Sequence, residues 1–137
     1  MAAASFAQRA RIVGVIGLGA ILGALLLYTW ATLHFEYSNG ERAGVLQKFS
    51  RKGWVCKTDE GELALYVVAG VQPEIWTFTV RDAALAAQLS AAVGQRVQLH
   101  YVEHRGVPSS CFGETRYFVD RINAISAAPL AIGPEVR

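Results

Sequence analysis

The sequence lacks charge over a long stretch near its N-terminus. Only 18% of the 137 residues are charged, and the segment from Ile12 to Leu33 contains no charged residue. Because a helix rises about 1.5 Å per residue, this segment would span about 33 Å, which is enough to cross the hydrocarbon core of a bilayer. The absence of charge over this length excludes the segment from a soluble fold. We predict a short N-terminal tail (residues 1–11) and a transmembrane helix (residues 12–33).

The ends of this segment favour a retained anchor over a cleaved signal peptide. Tyr28 and Trp30 lie near its C-terminal end, and amphipathic rings favour the headgroup level of a membrane. A signal peptide has an apolar core of about 7 to 15 residues followed by a small-x-small cleavage site. This segment is longer and ends in Thr29-Trp30-Ala31, a poor match to such a site. The sequence therefore predicts a signal anchor.

Positive charge gives mixed evidence on the orientation of this anchor. Lysine and arginine are enriched on the cytoplasmic side of membrane helices, and Arg9 and Arg11 directly precede the segment. His34 and Glu36 supply no fixed positive charge at the other end. Four basic residues farther along favour the reverse orientation: Arg42, Lys48, Arg51 and Lys52. Weighting the immediate flank, we predict a single-pass protein of the bacterial inner membrane with a periplasmic C-terminal domain.

The glycines of the apolar segment lack the pattern of a dinucleotide-binding site. Gly17-Leu18-Gly19 matches the start of a GxGxxG fingerprint, but Leu22 stands where the third glycine belongs. No strand precedes the motif and no room remains for a βαβ unit, which excludes a dinucleotide-dependent dehydrogenase. Gly19 and Gly23 have the spacing of small residues at helix contacts in lipid. Self-association through the helix therefore stays open, beside glycine that is merely tolerated.

Beyond the anchor, short alternating segments predict a β-rich soluble domain over residues 34–126. The predicted strands are residues 45–50, 54–58, 63–68, 75–80, 97–102 and 116–125, with turns at 51–53 and 59–61. One helix should begin after Asp82 as its N-cap and end near Gly94. Leu89 should be buried, because it shares a face of that helix with Leu85 and Val93. Residues 127–137 contain two prolines and no pattern, which predicts a flexible tail.

The order of these elements indicates a small closed or partly closed barrel. The oligonucleotide/oligosaccharide-binding (OB) fold has five strands, with its helix between the third and fourth. Closure also removes most of the exposed strand edges that would otherwise favour aggregation. We therefore predict an OB-like barrel of five or six strands with one helix. A split β-sandwich is an alternative that the same strand signals allow.

Several segments of this domain resemble an uncharacterised bacterial family. The similarity lies in residues 38–44, 48–53 and 57–61 and in Cys111-Phe112-Gly113-Glu114-Thr115, and it extends over about 37–119. Members of that family are small proteins with an N-terminal membrane segment, and some carry a 6-phosphogluconate dehydrogenase label. The resemblance implies no activity and no catalytic residues.

The two cysteines are candidates for a disulfide. Cys56 lies in a predicted strand and Cys111 lies in a loop. An exported domain would meet an oxidising compartment, where the two thiols can pair. In a cytoplasmic domain, Cys56 would instead be a small buried hydrophobe and Cys111 a free thiol. Both interpretations remain open from the sequence.

A cluster of basic and aromatic residues is the candidate for a binding surface. Its members are Lys48, Phe49, Arg51, Lys52, Trp54 and Lys57. Such interleaving is typical of surfaces that bind single-stranded nucleic acid. In the periplasm the partner would instead be anionic lipid, an envelope polymer or an acidic protein surface. Asp59, Glu60 and Glu62 follow directly and the net charge is only +2, so a solvated hairpin of mixed charge needs no ligand.

The sequence gathers no residues into a metal or catalytic site. His100 and His104 would lie about 13 Å apart along a strand, too far for one zinc ion unless the strand ends before His104. No orienting group or oxyanion hole marks a pairing of Cys111 with His104. We expect solvent-facing histidines, no metal, no cofactor and no enzymatic activity.

These observations predict a membrane-anchored binding or scaffold module of the bacterial cell envelope. Its partners would be the lipid bilayer and an envelope protein or polymer, and we do not expect nucleic acid as a partner. A small membrane-tethered enzyme is the alternative from another class. A cytoplasmic domain would favour an OB-like module that binds nucleic acid.

Overall fold

A computed structural model describes residues 2–66 and 70–127, and the chain divides into two compact units at Phe35 and Glu36. The first unit is one helix, α1 (Ala2–His34). From Ser5 to His34 this helix is long and apolar enough to cross a membrane, a property that signal anchors and signal sequences near an N-terminus share. Arg9 and Arg11 lie within α1.

The second unit is a five-stranded mixed sheet with one short helix. Its elements in chain order are β1 (Ser38–Lys52), β2 (Thr58–Ala64), β3 (Ile75–Val80), α2 (Ala83–Ala91), β4 (Arg96–Glu103) and β5 (Tyr117–Ser126). The strands close in a ring in the order β1-β2-β3-β5-β4, with β4 pairing back onto β1. All neighbours are antiparallel except β3 and β5. The predicted mainly-β domain with one helix is confirmed, whereas the sixth strand is absent from the described residues.

The length of β1 allows the ring to close. Residues 38–45 pair with β4, and residues 45–52 pair with β2. β1 and β2 form an antiparallel hairpin, as predicted, but the turn predicted at 51–53 is misplaced. Arg51 and Lys52 belong to β1, and the chain leaves the strand after them at Gly53 (φ 118°). The turn predicted at 59–61 is also wrong, since those residues lie within β2. The strand predicted at 63–68 ends at Ala64, and its residues 67 and 68 lie outside the described part of the chain. Of the tail predicted at 127–137, only residue 127 lies within the described part.

The helix α2 covers the core at one end of the ring. Its N-cap is Asp82, whose Oδ1 accepts a hydrogen bond from the Leu85 amide at 2.8 Å, as the sequence predicted. Leu89 is completely buried, which confirms that prediction. Val93 is 43% exposed, because the helix ends at Ala91 before the predicted face reaches it. The largest fully buried side chains around Leu89 are Leu46, Leu63, Phe78, Val97 and Leu99.

Candidate functional site

The two cysteines form a disulfide that joins two loops. Cys56 lies in the loop between β1 and β2 (the 53–57 loop), and Cys111 lies in the loop between β4 and β5 (the 104–116 loop). Their Cα atoms are 4.9 Å apart, within the range that a disulfide requires. The pairing predicted as one of two alternatives is confirmed. The two loops therefore form one covalently braced surface.

The 53–57 loop carries two apolar side chains directly into solvent. Trp54 has a relative exposure of 101% and Val55 of 95%. Gly53 has a positive φ, and a Cβ there would collide with the carbonyl of Cys56, so the loop closes tightly at its base. Trp54 is thus a loop residue and not the strand residue that the sequence predicted. A tight base and a disulfide together hold this apolar pair outside the fold.

The 104–116 loop is held against the outer face of the sheet by a buried carboxylate. Glu60 on β2 and Thr79 on β3 are paired across the two strands, and both side chains are buried. Thr79 Oγ1 donates to Glu60 Oε2 at 2.8 Å, and the Glu114 amide donates to Glu60 Oε1 at 3.1 Å. The Thr115 amide donates to Thr79 Oγ1 at 3.3 Å. These hydrogen bonds attach the 104–116 loop to β2 and β3, in addition to the disulfide that joins it to the 53–57 loop.

The 104–116 loop encloses an open cleft of about 590 Å³. Polar side chains of its lining are His104, Arg105, Ser109, Ser110, Glu114, Thr115 and Arg116. We call this cleft together with Trp54 and Val55 the tip surface. It combines an exposed apolar pair with a polar cleft, an arrangement suited to binding.

Glu103, at the end of β4, organises the charge beside the cleft. Its Oε2 accepts a hydrogen bond from Ser38 Oγ at 2.9 Å, and its Oε1 lies 3.2 Å from Arg105 Nε and 3.8 Å from an Arg116 nitrogen. The Ser38 hydrogen bond and the two guanidinium groups hold the pKa of this carboxyl below its usual range, against the opposing effect of burial. Glu103 therefore stays ionised and fixes both arginines at the rim of the cleft.

The basic residues of the predicted binding surface are largely paired with carboxylates. Lys48 Nζ lies 3.4 Å from Glu62, Arg51 Nε lies 3.8 Å from Asp59, and Lys52 Nζ lies 3.9 Å from Glu114. Phe49 packs against the core, and Lys57 lines a smaller cleft of about 280 Å³. The six residues are thus divided among the sheet, the core and the tip surface. A binding role for them stays a prediction.

The two histidines named from the sequence have separate structural roles. His100 Nδ1 lies 2.6 Å from Asp120 Oδ1 at the surface. His104 is buried, with its ring edge-on to Phe118, so the expectation of a solvent-facing residue is wrong there. The reason is that β4 ends at Glu103, so the alternation of the strand no longer sets the orientation of His104. Within residues 2–66 and 70–127, no three His, Cys, Asp or Glu side chains cluster as metal ligands would.

Sequence reasoning missed the two features that define the tip surface. The signal for the exposed pair was the short segment Gly53-Trp54-Val55-Cys56, in which a glycine and a bonded cysteine enclose two apolar residues. The sequence alone predicts Glu60 as one of several solvated acidic residues, and only the position of the 104–116 loop distinguishes it from Glu62.

Comparison with the curated proteins and with the solved structures found no match. The family described as a domain of unknown function (DUF8785) matches residues 36–128, which include the whole ring, α2 and both loops of the tip surface. Because the match covers more than half of the chain, the protein belongs to the DUF8785 family.

Proposed function

We propose that the protein is a membrane-anchored binding module of the bacterial cell envelope, and that its tip surface contacts another envelope protein. The observation that carries this proposal is the full exposure of Trp54 and Val55 on a loop fixed by a disulfide. Its other elements are an OB-like fold, an anchor in α1 and a domain outside the cytoplasm.

The strand connectivity supports an OB-like barrel. The ring order β1-β2-β3-β5-β4, the helix between the third and fourth strands, and the parallel contact of β3 with β5 all agree with that fold. In OB folds the loop after the first strand and the loop before the fifth border the usual binding face. These are the two loops that the disulfide joins here.

The anchor and the disulfide together support an extracytoplasmic domain. The segment from Ser5 to His34 has the length and composition of a membrane span, and disulfides persist in the periplasm but are rare in the cytoplasm. Reporter fusions after Arg137 test this topology. An alkaline-phosphatase fusion should be active and a fluorescent-protein fusion that folds only in the cytoplasm should be dark. The opposite pattern would contradict the topology.

The exposed pair at the tip has the character of an interface anchor. Tryptophan is enriched among the few residues that carry most of the binding energy in protein interfaces. A loop that is already fixed loses little conformational entropy on binding, which strengthens association. Trp54 is both fully exposed and fixed at its base. An exposed apolar pair in this position therefore favours a partner that has a complementary apolar pocket.

The charges near the tip favour a protein over a polyanion or the bilayer surface. Arg51, Lys52 and Lys48 each face a carboxylate, and Glu103 holds both arginines at the cleft. A surface for nucleic acid or anionic lipid would instead present unpaired cations to many phosphates. Balanced charge around an apolar centre is the arrangement typical of protein interfaces.

Photo-crosslinking in intact cells tests the proposal. A photoreactive phenylalanine analogue replaces Val55 in the full chain, with Trp54 retained. The matched control carries the same analogue at Ala84, which is exposed on α2. We expect one discrete protein adduct from position 55, absent from position 84, that decreases at least tenfold in the Trp54→Ala background.

The adduct must also depend on the geometry of the tip and purify as a defined complex. Replacing Cys56 and Cys111 by serine should weaken it strongly, because the loop is then no longer held. The partner identified by mass spectrometry must form a complex of fixed stoichiometry with the unmodified chain. Adducts with lipid alone, or equal adducts from positions 55 and 84, would refute a protein partner at the tip.

A further inference from the structure

An arginine and three aromatic rings meet inside the ring of strands at the end opposite α2. Trp76 lies at the start of β3, Tyr101 near the end of β4 and Tyr117 at the start of β5, whereas α2 connects the end of β3 to the start of β4. The centroids of the three rings are 5.3 to 5.6 Å apart. The guanidinium of Arg42, on β1, lies 5.1 Å from the Trp76 ring. Its distances to the two tyrosine rings are 5.8 and 5.9 Å.

Arg42 has no anionic partner within the described part of the chain. Lys48, Arg51, Lys52, Arg105 and Arg116 each pair with a carboxylate there, and Arg42 makes only ring contacts. The nearest carboxylate along the neighbouring strand, Glu103, is already bonded to Ser38 and the two arginines of the cleft. Cation–π contacts stabilise the charge but leave the five N–H donors of a guanidinium unused.

The aromatic group contributes a second unused donor. Nε1 of Trp76 is buried and has no hydrogen-bond acceptor among the described residues. A buried donor without an acceptor is destabilising, and most such groups in folded proteins are satisfied. Two neighbouring side chains therefore offer N–H donors, one of them charged, and neither is bonded to a carboxylate among residues 2–66 and 70–127.

We propose that Arg42, with the three surrounding rings, binds a phosphate group at this end of the ring of strands. The planar guanidinium donates two parallel hydrogen bonds to a phosphate more readily than any other side chain. The rings hold the guanidinium in place and lower the local dielectric constant, which strengthens these bonds. A small opening in the packing would also bring the Trp76 N–H to the same anion.

Two sources of phosphate share this chemistry. One is a phospholipid headgroup, because Arg42 is eight positions beyond His34, the last residue of the apolar helix α1. The other is a soluble phosphate ester. The site is independent of the tip surface, so either proposal can fail without the other.

Nuclear magnetic resonance of the full chain tests this site through its tryptophans. The three indole N–H signals of ¹⁵N-labelled protein in maltoside micelles report on Trp30, Trp54 and Trp76 separately. Sodium phosphate should shift the Trp76 signal in a saturable way, and sodium chloride at equal ionic strength should not. Short-chain phosphatidylglycerol should reproduce the shift if a headgroup fits. The fully exposed Trp54 serves as the internal reference.

Variants separate binding from packing. Arg42→Lys keeps the charge but loses the paired hydrogen bonds and should weaken phosphate binding about tenfold, which corresponds to ~1.4 kcal/mol. Arg42→Gln should abolish the saturable shift, and Arg96→Gln, an exposed control at the start of β4, should change the affinity less than about twofold. A response to lipid but not to phosphate would assign the site to a headgroup. No response to either, or one that persists in Arg42→Gln, would overturn the proposal.

Discussion

Glu60→Gln should destabilise the domain although it changes one atom and keeps the shape of the side chain. Glu60 accepts one hydrogen bond from the Thr79 hydroxyl and one from the Glu114 amide, and it is buried beneath the 104–116 loop. An amide group has only one acceptor oxygen, so one of these donors would face an NH₂ group instead. Hydrogen bonds to charged groups contribute about 1.5–3 kcal/mol, which gives an expected loss of about 2 kcal/mol.

The neighbouring pair on the same face of the sheet provides a matched control. Glu62 on β2 is paired with Thr77 on β3 in the same register as Glu60 with Thr79, but Thr77 is exposed and Glu62 partly so. Its partner Lys48 makes a surface ion pair, which contributes about 0–1 kcal/mol. Glu62→Gln should therefore change the free energy of unfolding by less than about 0.5 kcal/mol.

Thermal and urea unfolding of the full chain in detergent, with the disulfide intact, would measure both variants. A loss of about 2 kcal/mol lowers the melting temperature of a domain of this size by roughly 8 to 16 °C. Limited proteolysis should in addition cut the 104–116 loop faster in Glu60→Gln than in Glu62→Gln. Equal losses for the two variants, or no loss for Glu60→Gln, would refute the argument that this buried carboxylate holds the loop.

Three further predictions concern the core, the disulfide and pH. Leu89→Ala should lower the free energy of unfolding by roughly 2–4 kcal/mol, and Val93→Ala by less than about 1 kcal/mol, because only Leu89 is buried. Urea titration measures both, and similar losses for the two variants would contradict this difference in burial. Replacing Cys56 and Cys111 by serine should lower the free energy of unfolding by about 4 kcal/mol, the loop-closure value for a separation of 55 residues. Alkylation of unreduced, denatured wild-type protein should find no free thiol. Because the pKa of Glu103 is lowered in the folded state, its contribution is present above the usual carboxyl pKa and is lost as pH falls through the lowered value. The stability difference between wild type and Glu103→Gln should therefore shrink on acidification, and a constant difference across the acid range would argue against it.

The sequence predicted the second half of the domain more accurately than the first. The strand at 75–80, the Asp82 cap and the strands on both sides of the 104–116 loop agree with the structure, because each is bounded by strong local signals. The error in β1 arose from charge and turn composition around Arg51 and Asp59. These two residues form an ion pair across β1 and β2, and Gly61 leaves room for the Phe78 ring. Contacts between strands therefore overrode the local preference for turns.

The candidate site was less accessible to sequence reasoning than the fold. The number of cysteines and the expected compartment allowed the pairing of Cys56 with Cys111 without requiring it. The exposure of Trp54 could not be predicted, because it depends on where β1 ends. The ion pair of Lys52 with Glu114 depends on the 104–116 loop, which brings Glu114 to Lys52 from far along the chain. Arg42 and Trp76 come together only because the sheet closes on itself. Such contacts between distant segments leave no periodic trace in one sequence.

The disulfide makes a covalent circle of the middle of the chain. Cys56 and Cys111 enclose β2, β3, α2 and β4, and the two strands outside, β1 and β5, each pair only with strands inside. A peptide bond broken anywhere between these cysteines would leave two chains that remain one molecule, with every strand pairing still available. The domain should therefore survive a single proteolytic cut between β2 and β3 as a nicked but folded protein.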